Sequence, residues 1–157
     1  NWPSQIETVS SKLASSCYVL LQAREYFGTT ILRTLYFALV NWYLLYCVES
    51  WGLSYDTNLE PIRRLQKRAI RTITFSPYYE HSKPLFSRLK ILPFDFVREL
   101  KSATCINSVV RNNEPFPISS LCIPRRQTRN QTFNNFNIPP IKNTYSKRLV
   151  QYTGVKV

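Results

Sequence analysis

Glycine is scarce in this sequence, which has 3 glycines against 10 prolines in 157 residues. A β-rich fold with many tight turns needs residues that tolerate left-handed backbone, so this composition argues against one. Helices separated by prolines fit this composition better. Hydrophobic residues make up 44% of the chain, which is enough to bury one core. The sequence therefore predicts an all-α fold: a small helical domain of about five helices, followed by an irregular tail rich in proline and asparagine.

Groups that usually carry catalysis or bind metals are also few. The chain has a single histidine, His81, and its two aspartates, Asp56 and Asp95, lie far apart in the sequence. Metal-dependent phosphoryl transfer needs carboxylates that hold cations together, and the sequence has no Asp-Asp pair, glycine-rich phosphate loop or paired-histidine motif. We expect no catalytic residue, no metal site and no cofactor, and therefore no enzymatic activity from this chain alone.

The 4 cysteines lack the close spacing of a zinc site. Cys17, Cys47 and Cys105 stand among apolar residues, where a buried and reduced thiol is the ordinary case. This pattern predicts an intracellular, reducing compartment and does not distinguish nucleus from cytoplasm. Methionine is absent and no signal peptide opens the chain, so we expect a fragment or a processed piece of a longer protein.

Two apolar segments predict the first half of the fold. Residues 5–26 carry apolar side chains at helical spacing, with Ser4 and Glu7 as a capping box and Gly28 as a left-handed stop. Residues 30–51 are apolar on almost every side, which predicts a helix buried all round. Its expected core residues include Leu39, Tyr43 and Tyr46.

A membrane span is the alternative interpretation of the second apolar segment. Residues 31–48 are mostly apolar, and a span needs ~20 such residues. Asn41 near the centre and Glu49 close behind favour a core helix over a span.

The next helix, predicted at residues 59–74, has two different faces. Asn58 is its expected cap, Pro61 falls in the expected first turn, and Pro77 follows its end. At ~100° per residue, the apolar side consists of Leu59, Ile62, Leu65, Ala69, Ile70 and Ile73. Five cations are expected on the opposite side, facing solvent: Arg63, Arg64, Lys67, Arg68 and Arg71.

Two more helices and a tail complete the prediction. A short helix begins at Ser82 and buries Leu85, Phe86 and Leu89, and a longer one covers residues 94–111. The longer helix is expected to pack through Phe96, Val97, Leu100, Ala103 and Val110. Residues 1–111 then form a helical domain, and residues 112–157 form an extended basic tail.

A net charge of +12 favours a polyanionic partner, most often nucleic acid. We expect phosphate contacts from the five cations of the two-faced helix and from basic residues of the tail that stand among aromatics. The tail residues are Arg125, Arg126, Arg129, Lys142, Lys147 and Arg148. Three alternatives remain open: a solvated helix face without a ligand, a helical interaction module that binds an acidic protein, and a single-span membrane protein.

Several motifs occur in an order that resembles one known protein family. The apolar helix contains LY, then YCVESWG at residues 46–52, and the basic helix contains IRRLQKRAIR at residues 62–71. LFSRLKILP follows at residues 85–93, then TRN at residues 128–130 and Y-x-G at residues 152–154. This order resembles the region behind the polymerase palm in reverse transcriptases of non-LTR retrotransposons, of the LINE type, like jockey and CR1.

The resemblance implies a parent protein that is an RNA-directed DNA polymerase, with this chain as its thumb and the helical region that follows. The palm, with its F/Y-x-D-D carboxylates and Mg²⁺, and the fingers would then lie upstream in the same polypeptide. The implied role is non-catalytic: binding of template–primer or element RNA through the phosphate backbone, with RNA and DNA as partners and no membrane.

Overall fold

Every regular element is a helix in the computed structural model, which describes residues 2–112, with side chains as far as residue 108. The helices are α1 (Trp2–Ala23), α2 (Thr29–Tyr36), α3 (Trp42–Leu45), α4 (Val48–Trp51), α5 (Asp56–Thr74), α6 (Ser82–Leu89) and α7 (Phe94–Asn112). A π-helical segment, Phe37–Asn41, joins α2 to α3. The predicted all-α fold is confirmed, and five of these helices are eight residues or longer.

The chain forms two compact units, and the boundary falls inside α7. The first unit is Asn1–Arg98, and the second begins at Glu99. Residues 99–112 are the part of the second unit that the structure describes. The predicted division between residues 111 and 112 stays a prediction, and the predicted tail lies outside the described residues.

Helix α1 buries the apolar stripe that its sequence predicts, apart from Leu21, which is exposed. The predicted capping box is wrong, because the helix begins at Trp2 and Ser4 already lies in its first turn, where its carbonyl oxygen accepts a hydrogen bond from Thr8. Gly28 is also not a left-handed stop. It has an extended backbone, with φ −75° and ψ 170°, and precedes α2.

The predicted apolar helix is interrupted and is not buried all round. Its buried residues recur on one side at intervals of four and then three: Leu32, Tyr36, Val40, Leu44, Val48 and Trp51. Ile31, Trp42 and Tyr46 are exposed on the other side, so Tyr46 is not a core residue, whereas Leu39 and Tyr43 are partly buried. The reason is that neighbouring helices cover only one side of this segment, whatever its hydrophobicity.

No helix in the described part of the chain combines the length and the apolar character that crossing a bilayer requires. The interruption after Leu45 contributes to this. Tyr46 has an extended backbone and Cys47 a left-handed one, with φ 50°, so that α3 stops there and α4 starts anew.

Helix α5 lies at the centre of the first unit and packs against α1, α2 and α6. It begins at Asp56, three residues earlier than predicted. Asn58 is therefore not the cap, and Pro61 lies in the second turn rather than the first. The buried side contains the predicted apolar residues, with Leu65 only partly covered, and two polar residues that the pattern did not select, Gln66 and Thr72.

Gln66 joins three parts of the first unit inside the core. Its side-chain nitrogen donates to the Tyr36 hydroxyl at 2.9 Å and to the Leu92 carbonyl oxygen at 3.0 Å. Its side-chain oxygen accepts from the Phe94 backbone N–H at 2.8 Å. Buried polar groups are stable when paired in this way, so Gln66 fixes the entry of the chain into α7.

The prediction for α6 is confirmed, and the prediction for α7 is partly wrong. Helix α6 begins at Ser82 and buries the three residues expected of it. In α7, Val97 is buried as predicted and Ala103 is partly buried, whereas the predicted burial of Phe96 and Leu100 is wrong, because both are more than half exposed. Val110 lies outside the described side chains. Phe94, which was not predicted, is buried together with Val97, and its ring stacks on Trp51 with centroids 5.6 Å apart.

In the described part of the chain, three residues other than glycine occupy the left-handed backbone region: Cys47, Phe75 and Lys90. Phe75 ends α5 in a Schellman arrangement, because the Ser76 N–H bonds to the Arg71 carbonyl oxygen and the Phe75 N–H to that of Thr72. A bulky residue is unusual there, since glycine or asparagine normally takes this position. The scarcity of glycine therefore did not exclude left-handed helix ends.

Candidate nucleic-acid interface

The five cations of α5 do not share one environment. Within the residues that the structure describes, Arg63 and Arg71 hold other parts of the first unit, whereas Arg64, Lys67 and Arg68 do not. The difference matters because a cation that is already engaged in the fold has fewer donors left for a phosphate.

Arg63 is turned toward carboxylates and not toward solvent, so its predicted outward position is wrong. One terminal nitrogen lies 2.8 Å from the Asp56 carboxylate and 2.8 Å from that of Asp95, and Nε donates to Asp95 at 3.0 Å. The side chain is only 17% exposed. Hydrogen bonding to Asp95 raises the pKa of Arg63 above its ordinary value, so this guanidinium is a permanent structural cation.

The two aspartates are distant in sequence but converge on this guanidinium. Arg98 reinforces the arrangement, with nitrogens 3.8 Å from Asp56 and 4.0 Å from Asp95. Their negative charge therefore faces two arginines. Among the described residues, no group of three or more histidine, cysteine or acidic side chains is arranged to hold a metal ion. The arrangement resembles an ion-pair network more than a site for two catalytic cations.

Arg71 fastens the turn that follows α5. Its Nε and one terminal nitrogen both donate to the Glu80 carbonyl oxygen, at 3.1 and 3.0 Å. The guanidinium also lies over the Tyr78 ring, 5.6 Å from its centroid. A substitution at Arg71 would thus disturb local structure as well as surface charge.

Arg64, Lys67 and Arg68 form the exposed cationic face of α5, a name used below for these three residues. At ~100° per residue they fall within a single ~100° arc of the helix. The Arg64 side chain is 76% exposed and meets Glu60 at 3.3 Å, an exposed contact that stabilises little. Arg68 is exposed and Lys67 half-buried. This face is the part of the predicted phosphate-binding surface whose geometry suits a ligand.

The histidine and the cysteines are not part of this face. His81 is exposed and immediately precedes α6. Cys17 is buried, and burial raises the pKa of its thiol. Cys47 is exposed, so its predicted burial is wrong, and Cys105 is intermediate. At Cys47 the backbone leaves the helical path with a left-handed φ of 50°, between the end of α3 and the start of α4.

Two cation–aromatic contacts at the carboxyl end of α5 were not predicted. Arg24, just after α1, lies over the Phe75 ring with its guanidinium carbon 4.6 Å from the centroid. Arg71 and Tyr78 form the second pair. The sequence feature that could have indicated these contacts is the run of aromatic residues around Pro77. Helical periodicity gives no information about residues in this turn.

The tail residues of the predicted site cannot be placed in the same way. They are Arg125, Arg126, Arg129, Lys142, Lys147 and Arg148, and all lie outside the described residues. Their expected role in phosphate binding stays a prediction.

Comparison of the chain with protein-family models, with curated proteins and with solved structures gave no match. The resemblance to reverse transcriptases therefore depends on the motif residues themselves. In the structure several of these are core residues, among them Tyr36, Trp51, Gln66 and Phe86. Such residues concern packing, so the motif pattern bears more directly on fold than on activity.

Proposed function

We propose that this chain is the helical region that follows the palm of a non-LTR retrotransposon reverse transcriptase, and that it binds the phosphate backbone of RNA and DNA. The order of the motifs supports the parentage. The observation that carries the binding proposal is the exposed cationic face of α5, opposite the buried side of the same helix. Packing holds that helix in place, so the three cations are presented together.

Phosphate contacts of this kind carry little sequence information. The cations are flexible side chains on one helix surface and offer no fixed pattern of donors and acceptors for base edges. Binding should therefore be similar for unrelated sequences. The polymerase chemistry would belong to the palm of the parent protein, since the two aspartates here are held by arginines.

The test is the affinity of the purified chain for labelled RNA and DNA as a function of salt concentration. With three phosphate contacts from α5, log K should fall against log[salt] with a slope of at least roughly −2 to −3. Contacts from the tail would make the slope steeper. If the chain binds neither nucleic acid at low salt, the proposal fails, and an acidic protein becomes the better partner for this surface.

A further inference from the structure

The turn after α5 exposes aromatic rings beside cations. Tyr78 and Tyr79 are 87% and 86% exposed, and Phe75 is 46% exposed. We call Phe75, Tyr78 and Tyr79 the aromatic corner. Arg24 and Arg71 lie against two of its rings, as described above. Exposed aromatic side chains are common at binding interfaces, because their rings are large and apolar.

Hydrogen bonds hold the backbone of this turn. The Glu80 N–H bonds to the Pro77 carbonyl oxygen at 3.2 Å and closes the turn around both tyrosines. The two hydrogen bonds from Arg71 then fix the Glu80 carbonyl oxygen to the last turns of α5. A turn whose backbone is held in advance loses less conformational entropy when it binds a partner.

The charge around the corner favours an anionic partner with flat groups. Arg24 and Arg71 are cationic, and exposed Arg68 lies one helical turn before Arg71. Glu25 and Glu80 are the acidic groups nearest in sequence. Single-stranded nucleic acid combines phosphates with unpaired bases that stack on aromatic rings, whereas a duplex has its base faces already covered.

We infer that the aromatic corner is a stacking site for the bases of single-stranded RNA or DNA, continuous with the exposed cationic face of α5. The inference rests on the proposed function and adds to it: the cations hold the backbone, and Tyr78 and Tyr79 select unpaired strands over duplex. Stacking depends on the flat faces that all bases share, so the selection concerns strandedness and not sequence.

The test compares three probes of equal length on the full chain: oligothymidine, a duplex, and an abasic strand that has phosphates without bases. The variant Tyr78→Leu/Tyr79→Leu keeps apolar bulk and removes the ring faces, and Tyr78→Phe/Tyr79→Phe retains them. The leucine variant should lose about tenfold or more in affinity for oligothymidine, the phenylalanine variant little. Binding of the duplex and of the abasic strand, and the salt slope, should be unchanged in both.

Circular dichroism is used to check that the variants are folded. The single variant Tyr79→Leu is a second test of stacking, because it leaves the Arg71–Tyr78 contact in place. Glu80→Gln keeps the backbone carbonyl bonded to Arg71 and removes a negative charge, so it should strengthen binding of all three probes.

Equal affinity of the parent chain and the leucine variant for oligothymidine would overturn the stacking site, while steep salt dependence would leave the proposed function intact. Absence of binding to all three probes at low salt would overturn both. Retention of an acidic or proline-rich peptide on the corner, without any stacking effect, would assign this surface to protein.

Discussion

Gln66 donates a hydrogen bond to the hydroxyl of Tyr36 at 2.9 Å, within a core where both residues are almost completely buried. Replacing Gln66 with methionine keeps similar bulk but leaves the Phe94 N–H and the Leu92 carbonyl oxygen without their partner. We expect a loss of about 2–4 kcal/mol in the free energy of unfolding, measured by urea denaturation. A loss below about 0.5 kcal/mol would mean that these groups find other partners.

Tyr36 predicts a distinct response to alkaline pH. Burial raises its pKa from the ordinary 10.0 to about 12. Between these values the unfolded chain releases the phenolic proton and the folded chain keeps it, so stability falls as pH rises. The contribution is complete below pH 10.0, and roughly 2–3 kcal/mol should be lost by pH 12.

Tyr36→Phe separates this effect from the titration of all other groups. The variant lacks the hydroxyl, so it should be less stable than the parent at neutral pH by about 1 kcal/mol. Between pH 10.0 and 12 the difference should shrink and then reverse. A constant difference across that range would show that Tyr36 titrates normally.

Two leucines in different environments should respond unequally to the same substitution. Leu44 is completely buried, whereas the Leu92 side chain is 50% exposed. Leu44→Ala should reduce the free energy of unfolding by about 2–5 kcal/mol because it leaves a cavity, and Leu92→Ala should cost clearly less. Stability is measured by denaturation in aqueous buffer. Similar losses for the two variants would contradict the complete burial of Leu44.

Arg63 should matter for stability more than its neighbour Arg64. Arg63→Gln removes charged hydrogen bonds to Asp56 and Asp95, and we expect a loss of about 1–2 kcal/mol, since both carboxylates are partly exposed. Arg64→Gln removes one exposed contact and should change stability by less than about 0.5 kcal/mol. Thermal unfolding of the two variants measures their loss of stability, and equal losses would contradict a structural role for Arg63.

Local sequence patterns determine much of this fold. Helix α6 and the buried side of α5 are predictable because apolar residues recur at helical spacing and prolines limit the helices. The buried stripe of α1 follows in the same way. Periodicity describes one helix at a time, however, and the one-sided burial of α2 and α3 depends on which neighbours cover them.

The candidate site was less predictable, because the partners of its cations lie far away in the sequence. Arg63 meets Asp95 across 32 positions, and Arg71 bonds to the backbone carbonyl of Glu80, which any residue would provide. A helical projection places both arginines on the polar side but contains no information about such partners. The structure therefore divides a face of five equivalent cations into two structural arginines and three cations that, in the described residues, hold no other helix by a charged contact.

The last prediction uses that division to test the binding surface. Replacing Arg64, Lys67 and Arg68 with glutamine removes the exposed cationic face and leaves Arg63 and Arg71 in place. The fold should persist, because none of the three holds another helix by a charged contact in the described residues. The salt slope for RNA and DNA binding should become flatter by roughly two to three units, about one for each lost phosphate contact.

A charge-matched control separates local contacts from net charge. In the control, glutamine replaces three exposed cations on or just after α6: Lys83, Arg88 and Lys90. This variant loses the same number of positive charges. The control should change the slope by less than about one unit. Equal slopes for the two triple variants would mean that binding follows the overall charge of the protein. A face variant with the affinity and slope of the parent would move binding away from α5, to other cations such as those of the tail.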